Sequence, residues 1–364
     1  MTLYEKIYLQ LKAKILNNEF DIEKPLPTEM ALQKEYGVSR ITVKQAYAKL
    51  SEEGIVERIP GKGSFIKRSY KSGRRPLIGL ILCDFNATFG DQLIKTIEEA
   101  AAAHGYGVVL KRSLDNAQNE EKALRELMQL KVSGIIIQNC HGDVTKNLIG
   151  LTVTDFPVVS VDRYAKGLLI PSVTSDNFGS CVQATERLLK RHHAQILFAS
   201  SDPQSTSTLT ERENGFKEAH IKVGAALRQE QIITQLTSPI TKKPEDIARD
   251  IQTVMQALDN RDITGIIATE RFVAELCAIA AEKLHRQIPE DLELICFDCA
   301  EKLLSPSRFS YIRQNENEIG RMAVKQLVLL MEQNRSAVQM RTVIPTDFIQ
   351  GKSTKPFGNQ VTLL

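Results

Sequence analysis

No stretch of the 364-residue sequence holds 18 consecutive apolar residues, so nothing in it reads as a membrane-spanning helix. Its first residues follow a polar amphipathic pattern, not that of a leader peptide, and a cytoplasmic chain is expected. Patterns that carry covalent or phosphate chemistry are also missing: there is no Gly-x-Ser-x-Gly, no phosphate-cradling loop and no carboxylate-bearing metal motif. Neither enzymatic turnover nor a cofactor is expected. Cysteine is sparse, and the six (83, 140, 181, 277, 296 and 299) lie mostly inside apolar segments, as small buried hydrophobes do in a reducing compartment. Cys296-x-x-Cys299 lacks the second ligand pair that a structural zinc site needs, and the neighbours His192 and His193 point apart; with His141, they give no metal site. No heptads follow Val338, so no tetramerising coiled coil is expected.

A large excess of one charge is missing too, the net being only +3, but the charge is unevenly spread. Residues 1–76 carry 15 Lys+Arg against 9 Asp+Glu, while the remainder carries 32 against 35. A small basic module joined to a larger, slightly acidic one suits an anionic partner for the first and a different task for the second.

Residues 36–50 say most about that basic module. Gly37 allows a tight turn, Ser39 can cap a helix, and Val43, Ala46, Tyr47 and Leu50 recur at helical spacing as an inner face. The outer face carries Arg40, Ile41 or Thr42, Lys44 and Gln45, side chains able to reach base edges and phosphates in a major groove. This is how the second helix of a helix-turn-helix meets DNA. Upstream, Ile7, Leu11, Ile15 and Leu16 mark an amphipathic helix stopped near Asn17-Asn18, and Thr28-Glu29 starts another through Leu32 and Tyr36. Downstream, 55–59 and 64–66 read as two short strands joined by Pro60-Gly61-Lys62-Gly63, a hairpin wing with Lys62 at its tip. Arg40, Lys44, Arg58 and Lys62 would neutralise phosphates. A winged helix used only for protein contact is the plainer alternative, but the cationic surplus sits on the helix and the wing themselves.

Tyr4-Glu-Lys-Ile, Leu26-Pro-Thr-Glu29, the run Tyr36–Ala46, and Glu53-Gly-Ile-Val-Glu-Arg58 running into Gly61–Phe65 closely resemble the GntR family of bacterial regulators. That resemblance covers almost all of 1–68. It implies that Arg40, Thr42, Lys44 and the wing glycines Gly61 and Gly63 contact operator DNA, with Tyr4 and Glu29 near the backbone or groove. Met30 departs from the pattern, standing where Arg or another polar residue often follows.

Residues 69–76, polar, basic and ended by Pro76, read as a linker. From Leu77 apolar strands alternate with helical patterns at 90–104, 119–130, 178–192, 211–223, 244–259, 271–285 and 316–333. Such alternation means α/β architecture with parallel sheets covered by helices on both faces, and ligands at the carboxyl ends of strands. Asp84, Asn139, Asp162, Thr269 and Asp298 fall at those ends, a collection of groups suited to fixing the hydroxyls of a polyhydroxylated ligand.

In motif order, Pro157–Arg163, Val173–Asn177, Arg212–Ala219, Ile288–Asp291 through Phe297-Asp298, and Ile312–Gln314 to Gly320 resemble the effector domain of the lactose/galactose repressor family, itself similar to periplasmic sugar-binding proteins. The resemblance covers about 77–351. It implies two lobes crossed three times by the chain, lobe one holding 77–165 and 313–338, lobe two 166–312 and 339–352, with a tail at 353–364. Asp162, Arg212, Asp298 and Gln314 are the implied effector contacts, with Phe85 or Phe89 as an apolar wall. Asp176 and Asn177 are read as caps of the following helix. Ala268-Thr269-Glu270 stands where many family members carry Ala-Asn-Asp, and Thr269 and Glu270 are candidate effector contacts there. A GntR-type head on such a body resembles the arabinose-repressor group. The expected whole is a homodimeric, sugar-released repressor on a near-palindromic DNA operator, with arabinose the first candidate. The alternatives are an activator of the same architecture and a sugar- or nucleoside-processing enzyme with an acquired DNA-binding head.

Overall fold

The computed structural model describes residues 2–16, 19–21, 24–67, 75–140, 145–191, 195–299 and 307–356. The Asn17-Asn18 helix stop, linker positions 69–74, His141, His192, His193 and the tail beyond 356 lie outside the described residues.

The head consists of helices α1 (Leu3–Leu16), α2 (Glu29–Tyr36) and α3 (Arg40–Glu52), then strands β1 (Val56–Ile59) and β2 (Gly63–Ile66). Its core forms where the apolar faces meet: Ile7, Leu11 and Ile15 from α1, Leu32 from α2, and Val43, Ala46, Tyr47 and Leu50 from α3, closed by Ile55, Val56 and Ile66. Local chemistry fixes the helix ends. The Thr28 hydroxyl accepts the Ala31 N–H at 3.2 Å, and that of Ser39 accepts the Thr42 N–H at 3.3 Å. Gly37, at φ +65°, ends α2 in the left-handed conformation that a tight turn into α3 requires. The two strands pair antiparallel from Val56–Ile66 to Ile59–Gly63, making the wing.

The body holds two six-stranded sheets. The first contains β3 (Leu77–Leu82), β4 (Gly107–Arg112), β5 (Gly134–Ile137), β6 (Val158–Val161), β7 (Ser172–Ser175) and β13 (Arg341–Ile344), in the order β13-β7-β6-β5-β3-β4. The second contains β8 (Gln195–Ala199), β9 (Ile232–Ile233), β10 (Ile263–Ala268), β11 (Glu293–Phe297), β12 (Ser310–Arg313) and β14 (Asp347–Ile349), in the order β14-β12-β11-β10-β8-β9. Strands β8 to β12 pair in parallel, and β14 is added antiparallel to β12. The central strands of the second sheet are apolar on both faces because helices cover both. Alternate residues of β10 and β11 show it: Ile266, Ala268, Leu294 and Cys296 enter one core, Ile267, Ile295 and Phe297 the other. Cys296 is thus a core side chain.

Two expected boundaries are corrected. Strand β7 pairs with β6, and β13 pairs with β7, so 172–175 and 341–344 belong to the first sheet and not to the second lobe. Ser-Val-Thr-Ser is buried throughout yet polar at three of four positions, so its composition hides a central strand. Nor does a tail begin at 353: Ser353 and Thr354 are buried, with the Ser353 hydroxyl accepting the Ser310 N–H at 2.8 Å and the Ser353 carbonyl accepting the Leu294 N–H at 2.9 Å.

Candidate functional site

On the head, the inner face of α3 is buried, while Arg40, Ile41, Lys44 and Gln45 are exposed, as are Arg58, Gly61, Lys62 and Gly63 on the wing. Glu29 organises them. Its Oε2 accepts Arg40 Nε at 3.1 Å and its Oε1 forms an ion pair with Arg58 Nη2 at 3.3 Å, tying the first turn of α3 to the wing. Both arginines stay mostly exposed, at 74% and 65%, so they are positioned without being consumed. Ser39 Oγ lies 2.8 Å from Thr42 Oγ1, besides capping α3. Tyr4 sits elsewhere: Lys49 lies over its ring at 5.9 Å, near the far end of α3.

In the body, a cleft of about 670 Å³ opens at the carboxyl ends of the strands. Asp162 follows β6 and Asp298 follows β11, both left-handed at φ +62° and +58°, and each carboxylate is held by a glutamine. Gln138 Nε2 donates to Asp162 Oδ2 at 2.7 Å, and Gln314 Nε2 donates to Asp298 Oδ2 at 2.9 Å. Burial pushes the Asp298 carboxyl up to about 7, against the opposing pull of Arg212 and Gln314 and with help from Asp162 and Glu316.

Arg212 is 5% exposed and fully oriented. Its Nε donates to Asn177 Oδ1 at 2.9 Å, its Nη1 donates to the Thr269 carbonyl at 2.5 Å, and the guanidinium stacks 3.9 Å from the Phe297 ring centre. Nη2 stands 4.0 Å from Asp298 Oδ2. Glu270, at the N-terminus of helix Arg271–Lys283, has its carboxyl raised by burial, with Lys242 and Arg212 opposing. Lys242 is lowered by burial and lies 3.8 Å from the Phe272 ring centre. The walls thus offer carboxylates, oriented cations and aromatic faces, groups able to hydrogen-bond to and stack on an oxygen-rich molecule.

Residues 75–284 match the family described as periplasmic binding proteins and the sugar-binding domain of the LacI family. The chain belongs to that family. Residues 3–66 match the bacterial regulatory proteins of the gntR family, so a GntR-type DNA-binding head precedes the LacI-type body. The chain is 26% identical over 347 residues to an arabinose metabolism transcriptional repressor of Halalkalibacterium halodurans, covering 92% of this chain and 90% of that one. It is 27% identical over 326 residues to the ribose operon repressor of the same organism, covering 87% and 92%. Among solved structures it is similar to the transcription regulator CcpA of Lactococcus lactis, with a TM-score of 0.65 at 21% identity over 78% of this chain and 100% of that one. Both of these sequence relatives are named as transcription repressors. No helix among the described residues is long and apolar enough to cross a membrane.

Of the effector contacts expected from sequence, Asp84, Phe89, Asp162, Arg212, Glu270, Asp298 and Gln314 line the cleft. Three do not. Phe85 lies under Arg112, whose guanidinium is 5.4 Å from its ring. Asn139 is turned inward, accepting the Ser160 hydroxyl at 2.8 Å. Thr269 is buried and acts through its carbonyl, which orients Arg212. Asp176 caps helix Asn177–Leu189, accepting the Gly179 N–H at 2.8 Å, whereas Asn177 serves Arg212. Residues missed from sequence include Gln138, Arg163, Lys242 and Arg271. Gln138 follows β5, one residue before Asn139, and period-two alternation at that strand end was the available signal. Cys83, Asp115 and Cys140 bring potential ligand atoms within 4.8 Å of one another, but Arg163 already donates to Asp115 at 2.9 Å and to Cys83 Sγ at 3.4 Å.

Proposed function

We propose that the chain is a cytoplasmic, sugar-responsive repressor whose head, residues 1–68, binds operator DNA and whose body, from Leu77, binds the effector in the cleft. The observation that carries the effector reading is Arg212: a nearly buried guanidinium, fixed by Asn177, the Thr269 carbonyl and Phe297, with Asp298 beside it. Such an arrangement is set to hold neighbouring oxygens of one small ligand. Asp162 and Asp298 would accept its hydroxyls, and Phe89 and Phe272 would cover its apolar edges. The relatives' names point to pentoses, and arabinose is the first candidate.

On the head, Arg40, Thr42, Lys44 and Gln45 would meet the major groove, Arg58 and Lys62 the phosphates, and Glu29 would act by aiming Arg40 and Arg58. The working unit would be a homodimer on a near-palindromic site. A ligand shifts operator affinity only by preferring one arrangement of the body over another. The test is calorimetric titration of the full chain with L-arabinose and D-ribose, repeated while bound to duplex DNA selected from a random pool. Saturable binding that weakens the DNA complex supports the reading, and absence of heat from every pentose, hexose and sugar phosphate removes the sugar assignment.

A further inference from the structure

The outward stripe of α3 runs Ile41, Lys44, Gln45 and Ala48, at i, i+3, i+4 and i+7, and all four are exposed. Three of these are unremarkable on a solvated or DNA-facing surface. Ile41 is not. It is 71% exposed, β-branched and therefore a poor choice for helix formation, and it stands outside the apolar core that the described residues of the head form. It sits in the first turn of α3, directly after Arg40, whose guanidinium is aimed by Glu29. Next to Glu29 in sequence, Met30 is 76% exposed as well. Each partner of that ion pair is thus followed in the chain by an exposed, large apolar residue.

The N-terminal residues of a helix laid in the major groove are those that reach base edges. Among the unmodified bases, only thymine presents an apolar group there, its C5 methyl; the other edges present donors and acceptors that an isoleucine cannot answer. We propose that Ile41 selects operator sequence by packing on a thymine methyl group. The surrounding Arg40, Lys44, Arg58 and Lys62 commit the face to a polyanion, which separates this occupant from a protein partner. The inference rests on the head's being the DNA-binding module, and it names a base that the operator must contain.

Duplexes enriched from a random-sequence pool by the full chain provide the probe. Replacing each thymine in turn by deoxyuridine removes one methyl and leaves hydrogen bonding unchanged. One position in each half-site should lose about fourfold in affinity, the factor expected for one buried methyl-sized group. Ile41→Ala should then bind the thymine and uracil forms of that position equally, while thymines elsewhere behave as in the parent chain. The uracil series on the parent chain stands whether or not the variant folds. Equal binding of every uracil-substituted duplex overturns the proposal, as does a thymine preference that survives unchanged in Ile41→Ala. Failure to enrich any duplex overturns it together with the DNA-binding reading, whereas enrichment without methyl dependence overturns it alone.

Discussion

Arg212→Ala tests the cleft most directly, because the side chain has two separable consequences. The first is structural. Truncation leaves Asn177 Oδ1 and the Thr269 carbonyl without a donor they now hold at 2.9 and 2.5 Å, and empties the space against Phe297. Hydrogen bonds from a charged donor contribute about 1.5–3 kcal/mol each, and cleft water can replace part of the loss, so a net destabilisation of about 3 kcal/mol is expected. For a body of this size that is a fall in melting temperature on the order of 5–10 °C. The second is functional. Arg212 opposes the upward push of burial on Asp298, so its removal moves that carboxyl further up and shifts it toward the neutral form. The variant should therefore lose the guanidinium and part of the charged acceptor, and effector binding with them, while the head keeps its affinity for DNA. Differential scanning calorimetry, pentose titration and a DNA shift assay on one preparation measure all three. Unchanged pentose affinity in a folded variant would refute the role given to Arg212.

Arg40→Ala should weaken specific DNA binding and reduce the slope of log affinity against log salt by about one unit, as expected for one lost phosphate or base-edge cation; an unchanged slope counts against its place at the interface. Glu29→Gln frees Arg40 and Arg58 and removes a negative charge, so affinity for random duplex should rise while discrimination for the selected duplex falls, in competition titrations at fixed salt. Asp298 ionises near pH 7 when folded and well below that when unfolded, so the folded state binds more protons and stability falls as pH rises from about 4 to 7; Asp298→Asn should flatten that part of the profile. Gly215→Ala would place a Cβ 2.4 Å from the Phe178 carbonyl oxygen, where helices Asn177–Leu189 and Ser207–Val223 touch, and should lower the melting temperature without altering DNA binding by the head.

Elements were legible in the sequence wherever burial and periodicity coincided. The inner face of α3 and the runs Leu77–Leu82, Gly134–Ile137 and Ile263–Ala268 announce themselves because their covering layers demand apolar residues at a fixed period. Strand β7 escaped because hydroxyls stand where Val or Ile would signal a core, those of Ser172 and Ser175 donating to the Met340 carbonyl and to Gln314 Oε1, and β13 because an edge strand need bury only alternate residues. Site residues divided in a similar way. Asp162 and Asp298 were legible because each ends an apolar strand, a position where a carboxylate has no structural use in the core. Asn177 and Gln138 were not, since their task is to orient another side chain, and the partners, Arg212 and Asp162, lie 35 and 24 positions away. The choice between Phe85 and Phe89 as an apolar wall was not legible either, since Arg112, which lies over Phe85, arrives from a different strand while Phe89 lines the cleft.

Asp162 and Asp298 also suggest how the body would register a ligand. The two carboxylates hang from different sheets, each at a left-handed strand end that Asp tolerates better than most residues. They are not equally anchored. Asp162 is held by Gln138 from its own sheet, whose Oε1 in turn accepts the Cys83 N–H at 3.0 Å. Asp298 is held by Gln314, and Gln314 Oε1 accepts Ser175 Oγ at 2.6 Å, from the last residue of β7 in the other sheet. One side of the cleft is therefore braced within its lobe, while the other is braced across the crossing between lobes. A ligand engaging both carboxylates would act on the Ser175–Gln314–Asp298 chain as a lever at the hinge, and would couple to lobe geometry there and not through Asp162. Ser175→Ala should then leave pentose affinity within a few-fold of the parent while reducing the effect of pentose on DNA binding, and full retention of that effect would place the coupling elsewhere.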